Sequence, residues 1–369
     1  LDSTRQHPKP SAITILFLGL ITSSVLFSQG FWGNEFPEGK IKYDPEKYVC
    51  QKTTEKLNLD GKINEKAWES APWTNSFVDI EGDLKPKPYH DTKAKMLWDE
   101  NYFYFAALME EPHVWGKLTE RDAVIYKDND FEIFLDPDGD THNYYELEVN
   151  ALGTEWDLIL LKPYHDEDKV VIDSWDIPGL ITRVHVDGTL NNPSDEDRAW
   201  SVEIAIPWKA FISNYRSNTP PKDGEQWKVN FSRVHWETDI IDDDYVKKDA
   251  REFNWVWSPQ GLIYMHMPEY WGLVQFSEIP SDNNTVLFND TGLDKVKWAL
   301  RQVYIKQRNY FFKNDRYTTS IGALKLRKAP AKGVPWPPKI VLTPSGWEAV
   351  LRWNDQNIII RKDGKVWAQ

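Results

Sequence analysis

Between Asp128 and Asn150 the chain gathers carboxylates onto two short alternating runs. In DFEIFLD, Phe131, Ile133 and Leu135 alternate with Glu132, Phe134 and Asp136. In YYELEVN, Tyr145, Leu147 and Val149 alternate with Tyr144, Glu146, Glu148 and Asn150. A period of two is that of a strand with one face inward, and the intervening DPDGDTHN has the composition of a turn. The expected unit is a β-hairpin whose polar face sets Glu132, Glu146 and Glu148 beside tyrosines. Such a face can accept hydrogen bonds from ligand hydroxyls, hold a hard cation, supply a glycosidase-like carboxylate pair, or simply be solvated. Asp136, Asp138 and Asp140 alternate around Gly139, a spacing able to wrap calcium, with Asp128 and Asp130 as further oxygens from the strand end. The twelfth position from Asp136 is Leu147 rather than Glu, so the helix–loop–helix calcium signature is incomplete, and a solvated Asp-Gly turn is the competing reading.

The elements that must position these groups are predominantly strands. From Lys42 to Phe276 the chain reads as short alternating runs such as AKMLWD, YFYFAAL, WSVEIAIPW and WKVNFSRVHW, separated by Gly, Pro, Asn and Asp. That pattern predicts a sandwich or barrel. One short helix is expected at NEKAWESAP, capped by Asn64, with Ala67, Trp68 and Ala71 inward. From Asp290 the period lengthens to that of an amphipathic helix with Leu293, Val296, Leu300, Val303 or Tyr304, Gln307 and Phe311 on one stripe. A Pro-rich spacer, APAKGVPWPP, leads to three further short strands. Trp98, Trp156 and Trp208 each flank a dense apolar run and are assigned to the core.

Net charge and the N-terminus narrow the setting. The formal charge of −13 leaves no basic surplus for phosphates, which argues against nucleic acid. Nineteen Trp and sixteen Tyr supply flat faces of the kind that stack on pyranose rings. Arg5 and Lys9 precede an uncharged run from Ala12 to Phe27, with Ser28 and Gly30 after it, as in a secretory signal. The run is shorter than a usual membrane span, so cleavage and a secreted, periplasmic or cell-surface product with no stable membrane span are expected, a retained anchor being the alternative. The single cysteine, Cys50, allows no internal disulfide and reads as a buried thiol. The resulting division is 1–30 signal peptide, 31–41 linker, 42–276 sandwich, 277–289 linker and 290–369 helix plus strands, with the sandwich expected to fold by itself.

Six separated stretches carry a family resemblance: LDGKINEKAWESAPW, MLWDENYFYFAALMEEP, DNDFEIFLDPDGD, YYELEVNALGTEWDL, AWSVEIAIPWKAF and WSPQGLIYMHMPEYWG. In this order they resemble family 9 carbohydrate-binding modules over roughly Asn58 to Phe276. The resemblance implies an all-β fold, a jelly-roll-like antiparallel β-sandwich, here with a small C-terminal α+β appendage. It also implies a secreted setting, non-catalytic binding of a polysaccharide or oligosaccharide of the xylan or cellulose type, and association with a glycoside hydrolase. The C-terminal helix is more weakly similar to the segment following the membrane helix of type IV pilin-like proteins.

The resemblance also implies site residues. Tyr126 stands where the family places one aromatic wall of a sugar clamp, six residues before the strand carboxylate Glu132, and both are expected to face solvent. Glu148 stands where the family has a basic residue, replacing a donor by an acceptor. The second wall falls near YMHMP, where Trp257 or Tyr264 would have to serve. Two other readings stay open. Related sandwiches bind haem through Met or His, and Met265, His266 and Met267 would allow such an electron-transfer site. A catalytic, O-glycosyl-hydrolysing domain would use paired carboxylates from Glu132, Glu146 and Glu148.

Overall fold

The computed structural model describes residues 36–164, 170–211, 219–281 and 285–369, so the expected signal segment lies outside the described residues. In chain order the first fifteen strands are β1 (Lys47–Lys52), β2 (Val78–Asp79), β3 (Thr92–Trp98), β4 (Tyr102–Glu110), β5 (Asp130–Asp136), β6 (Tyr144–Asn150), β7 (Glu155–Leu160), β8 (Val171–Ile172), β9 (Ile181–Asp187), β10 (Ala199–Pro207), β11 (Gln226–His235), β12 (Thr238–Ile241), β13 (Asp244–Lys247), β14 (Phe253–Val256) and β15 (Gly272–Pro280). One half pairs in the order β8-β7-β6-β5-β11-β15 and the other in the order β3-β4-β10-β9. Strand β1 links them, running parallel to β15 and reaching β3 only where Lys52 meets Trp98, beyond a register shift at Gln51/Lys52.

Period-two patterning explains why the halves face each other. Phe131, Ile133, Leu135, Tyr145, Leu147 and Val149 from the hairpin meet Met96, Phe103, Phe105, Trp200, Val202 and Ile204 from the opposite half in one buried core. Trp98 and Trp208 lie in it as expected, at 1% and 2% exposure. Two of the quoted motifs meet beside a second, smaller cluster in which Ala67, Trp68 and Ala71 pack with Leu97, Tyr104, Ala106 and Ala205. The helix α1 (Lys66–Ser70) buries Ala67 and Trp68, but its cap residue is Glu65, not Asn64, and no side chain caps it. What fixes the turn before it is Glu203, fully buried, which accepts hydrogen bonds from the Trp68 indole (2.7 Å) and from the Asp60 and Gly61 N–H groups (2.9 and 2.7 Å). Gly61 adopts φ +89°, and a Cβ there would lie 2.6 Å from the Val184 carbonyl carbon, so the LDGK glycine is required by both backbone and space.

The C-terminal part is not a free appendage. Helix α2 (Leu293–Asn314) is covered on one side by strands β16 (Lys339–Thr343), β17 (Gly346–Trp353), β18 (Gln356–Arg361) and β19 (Val366–Ala368), an antiparallel meander of four strands rather than three. Its core includes Val296, Leu300 and Val303 together with Leu262, Met267 and Tyr270 from the sandwich. The expected stripe is therefore too narrow, since Trp298, Arg301 and Ile305 are buried as well, while Phe311 is exposed. The stretches assigned to linkers are also engaged: β15 continues through Ser277–Pro280 beside β1, and the Phe36 backbone is clamped by Asn309 of α2. Across the joint the Arg301 guanidinium meets the Glu269 carboxylate at 3.1 Å with both groups buried, and Lys228 meets Asp294 at 2.8 Å.

Candidate functional site

The hairpin's outer face is the place where the carboxylates collect, and it is far less wet than the alternating pattern suggests. Every residue of β5 and β6 is buried. In the register Glu132 lies opposite Glu148, Asp130 opposite Asn150, and Ser232 of β11 opposite Glu132. Asp130, Glu132 and Glu148 each bring a carboxylate oxygen within 4.8 Å of the other two. Their exposures are 0%, 5% and 2%, which corrects the expectation that Glu132 faces solvent.

The surroundings do not neutralise this floor. Among the described residues, no Lys or Arg forms an ion pair with Asp130, Glu132, Glu146 or Glu148. Burial pushes all four carboxyls above the ordinary range, and neighbouring carboxylates push in the same direction; Glu132 is raised to about 7. The Ser232 hydroxyl lies close enough to temper the rise at Glu132 without completing a well-formed hydrogen bond. Two like charges at such a separation repel by roughly 3 kcal/mol at an effective dielectric near 20. The floor therefore stays partly protonated or takes up positive charge from elsewhere.

Aromatic side chains border it. Tyr126, on a single turn of 3₁₀ helix, is 41% exposed, and its backbone N–H donates to Glu148 Oε2 at 2.9 Å. Its carbonyl accepts from the Trp236 indole at 2.8 Å, and the Lys247 ammonium sits 3.9 Å from the centre of the Trp236 ring. Trp156 is half-buried and directly opposite Glu148 in the β6–β7 register, so it belongs to this face, where it packs against the cluster of Phe134, Tyr144, Leu158, Leu160 and Trp271 and not in the central core. Tyr164 is 41% exposed, and burial together with Glu146 and Glu148 holds its phenol well above the usual tyrosine range. The sequence reading missed Trp156, Tyr164 and Trp236. Strand parity relative to Glu148 was a usable signal for Trp156, whereas Tyr164 and Trp236 sit on loops that no period places.

The remaining assignments go elsewhere. Trp257 is 2% exposed in the central core, so close to Gly272 that a Cβ there would lie 2.4 Å from its ring, and it presents no face to a ligand. Tyr264 is half-buried against the C-terminal core and meets His266 at 5.6 Å with the rings tilted, and His266 in turn meets Tyr164 edge-on at 4.5 Å. The Met265–Met267 run is dispersed: Met267 is buried in the C-terminal core, Met265 accepts the Trp271 indole on its carbonyl, and His266 Nδ1 lies 2.9 Å from the Tyr144 hydroxyl. Met267 thus lies in the C-terminal core, whereas Met265 and His266 pack against the cluster of Phe134, Tyr144 and Trp271.

At the turn, Asp136, Asp138 and Asp140 also bring oxygens within 4.8 Å of one another. Here protein groups occupy them. Asp136 accepts from the N–H groups of Gly139 and Thr141 at 3.0 and 2.9 Å, Asp138 from the Asp140 N–H at 3.3 Å, and Asp140 from the His142 N–H at 2.8 Å. Lys365 reaches Asp140 at 2.6 Å, and Lys297 ties the Asp138 and Gly139 carbonyls to α2.

With this geometry in view, the comparisons are specific. The profile of the carbohydrate family 9 binding domain-like family matches residues 59–277, more than half of the chain. The chain belongs to this family. A stretch of 88 residues, 24% of the chain, is 32% identical to endo-1,4-beta-xylanase C of Paenibacillus barcinonensis and spans 7% of that protein's length. Among solved structures, a family 9 carbohydrate-binding module of Caldicellulosiruptor kristjanssonii in complex with cellotriose is 17% identical, with 66% of this chain and all of that one covered and a TM-score of 0.42. A putative carbohydrate-binding protein of Bacteroides uniformis is also 17% identical over 63% of this chain and all of its own, with a TM-score of 0.47. No helix among the described residues is long and apolar enough to cross a membrane.

Proposed function

We propose that the outer face of β5, β6 and β7 binds carbohydrate without transforming it. The observation that carries this reading is the juxtaposition of the acidic floor with the exposed rings of Tyr126 and Tyr164 and the half-buried ring of Trp156. Flat apolar rings stack on the C–H faces of a pyranose, and a floor of oxygen acceptors suits its hydroxyls. Family membership supports a glycan over other polyhydroxylated ligands. The short match to a xylanase favours plant cell-wall glycans of the xylan or cellulose type and a partnership with a glycoside hydrolase. The apolar run from Ala12 to Phe27 favours secretion to the periplasm or cell surface.

Isothermal titration with xylo- and cello-oligosaccharides tests the reading. Tyr126→Ala should weaken binding by about 1–3 kcal/mol, the scale of other aromatic stacking platforms. The melt should hardly move, because the ring is already 41% exposed. If Tyr126→Ala and Trp156→Ala both leave a demonstrated affinity intact, this face is not the glycan site.

A further inference from the structure

The oxygens of the floor form a donor set that matches a hard cation. Three carboxylates converge within 4.8 Å, and no His or Cys belongs to the group, which favours an oxygen-seeking ion over zinc or copper. One atom of the set, Asp130 Oδ2, and one of the adjoining Glu146, Oε2, lack any hydrogen-bond partner although their residues are almost wholly buried. A separate observation comes from the neighbouring strand. Ser232, at 0% exposure and directly opposite Glu132, holds a hydroxyl oxygen that is also without a partner. Leaving a buried polar atom unpaired is costly, and three such atoms beside one cluster of carboxylates are all supplied by one ion. The scaffold is suited to holding it, since Glu132 and Glu148 stand on paired strands and the Tyr126 N–H fixes one oxygen of Glu148.

We propose that Asp130, Glu132 and Glu148, with Glu146 and Ser232 as additional oxygen donors, bind a calcium ion beneath the aromatic rim. Calcium accepts six to eight oxygens in a flexible arrangement, which suits an uneven set of carboxylates and a hydroxyl better than the strict octahedron of magnesium. The ion supplies positive charge to a floor that has no ion-paired Lys or Arg among the described residues. Resting on the glycan reading, its remaining coordination positions take vicinal sugar hydroxyls.

The test uses the full chain, stripped with chelator and then titrated with calcium chloride by calorimetry. In parallel, terbium is titrated and its luminescence read through nearby Tyr and Trp. Saturable binding below about 1 mM calcium is expected, as in extracellular modules. Glu148→Gln and Asp130→Asn should each weaken it roughly tenfold or more while the far-ultraviolet spectrum and cooperative melt persist, and Asp138→Asn in the turn should leave it unchanged. No binding up to about 5 mM overturns the site. So does binding that survives Glu148→Gln and Asp130→Asn but is lost in Asp138→Asn, because the ion then sits in the turn. Oligosaccharide titration with and without calcium separates the two readings. Glycan binding lost on chelation supports the coordinating role; glycan binding indifferent to chelation removes that role and leaves the ion. Calcium binding with no glycan affinity overturns the glycan reading alone.

Discussion

The two ends of one hairpin carry acidic triads of the same compactness, and burial raises carboxyls in both, but the partners supplied to them differ. At the turn, the carboxylates of Asp136, Asp138 and Asp140 accept four backbone N–H bonds, and Lys365 closes on Asp140. At the strand end, Asp130, Glu132 and Glu148 have the Val234 and Tyr126 N–H groups as backbone donors and no ion-paired Lys or Arg among the described residues. The turn is covered by the C-terminal unit, whose Lys297, Arg301 and Lys365 arrive there from distant sequence. The floor is bordered instead by rings that remain exposed. On the proposed reading, a cluster of acids becomes a ligand site where the protein withholds counter-charge, and a structural joint where it provides it.

If that contrast is right, the joint should be costly to disturb. Arg301 lies at its centre: it pairs with buried Glu269 and donates through Nη1 to the Gly364 carbonyl at 2.9 Å, the same carbonyl that accepts from the Thr141 hydroxyl. Arg301→Met keeps much of the volume but strands the Glu269 charge. Urea denaturation should show a loss of about 3–5 kcal/mol. A loss under about 1 kcal/mol would mean that the C-terminal unit rests on the sandwich without holding it.

The second effect is a pH dependence on the turn side. Burial is the largest influence on His142 and lowers its imidazole to about 4, against partial opposition from Asp363 and Asp140. Arg301 and Lys365 disfavour its protonation as well. The unfolded chain therefore binds a proton near pH 6.5 that the folded chain does not bind until about pH 4, so stability rises with pH through this window and is lost as pH falls through it. The loss attributable to this residue is on the order of 3 kcal/mol between pH 7.5 and 4. His142→Gln should remove this share of the slope, so that the difference between variant and wild-type unfolding free energies changes by about 3 kcal/mol across that interval. An unchanged slope would place the proton uptake elsewhere.

How much of this contrast could be read from the sequence follows from the range of the interactions involved. Strand parity is local, so the inward set of Phe131, Ile133 and Leu135 and the outward set of Glu132, Glu146 and Glu148 were both legible. Burial of that face was not, because it draws on contacts far apart in the chain, such as Trp271 and His266 on Phe134 and Tyr144 and Tyr164 on His266. The alternating aspartates of the turn looked more like a metal loop than the floor did, since spacing records oxygens but not the lysine that arrives from position 365. Trp257 was mistaken for a wall for a related reason: a tryptophan beside the closing motif looks identical in sequence whether Gly272 admits its ring to the core or not. The four-stranded meander and the shared core with Leu262, Met267 and Tyr270 likewise needed contacts far apart in the chain.

The smallest effects give the sharpest comparison, because one kind of substitution should change sign between the two ends. Asp136→Asn removes one of the two acceptors that hold the Gly139 and Thr141 N–H groups and turns an amide NH₂ toward a donor. It should cost about 1–3 kcal/mol with or without chelator. Glu148→Gln keeps an acceptor for the Tyr126 N–H but removes a carboxyl whose charged form is disfavoured by burial and by Glu132, Asp130 and Glu146. In chelator at pH 8 it should therefore stabilise the fold by about 1 kcal/mol, raising the melting temperature, as expected when a buried like charge is relieved. With saturating calcium the sign should reverse, since wild type alone would gain the full binding free energy. Destabilisation by Glu148→Gln in chelator comparable to that of Asp136→Asn would show that Glu148 is held by protein partners after all, and the distinction between the two ends of the hairpin would collapse.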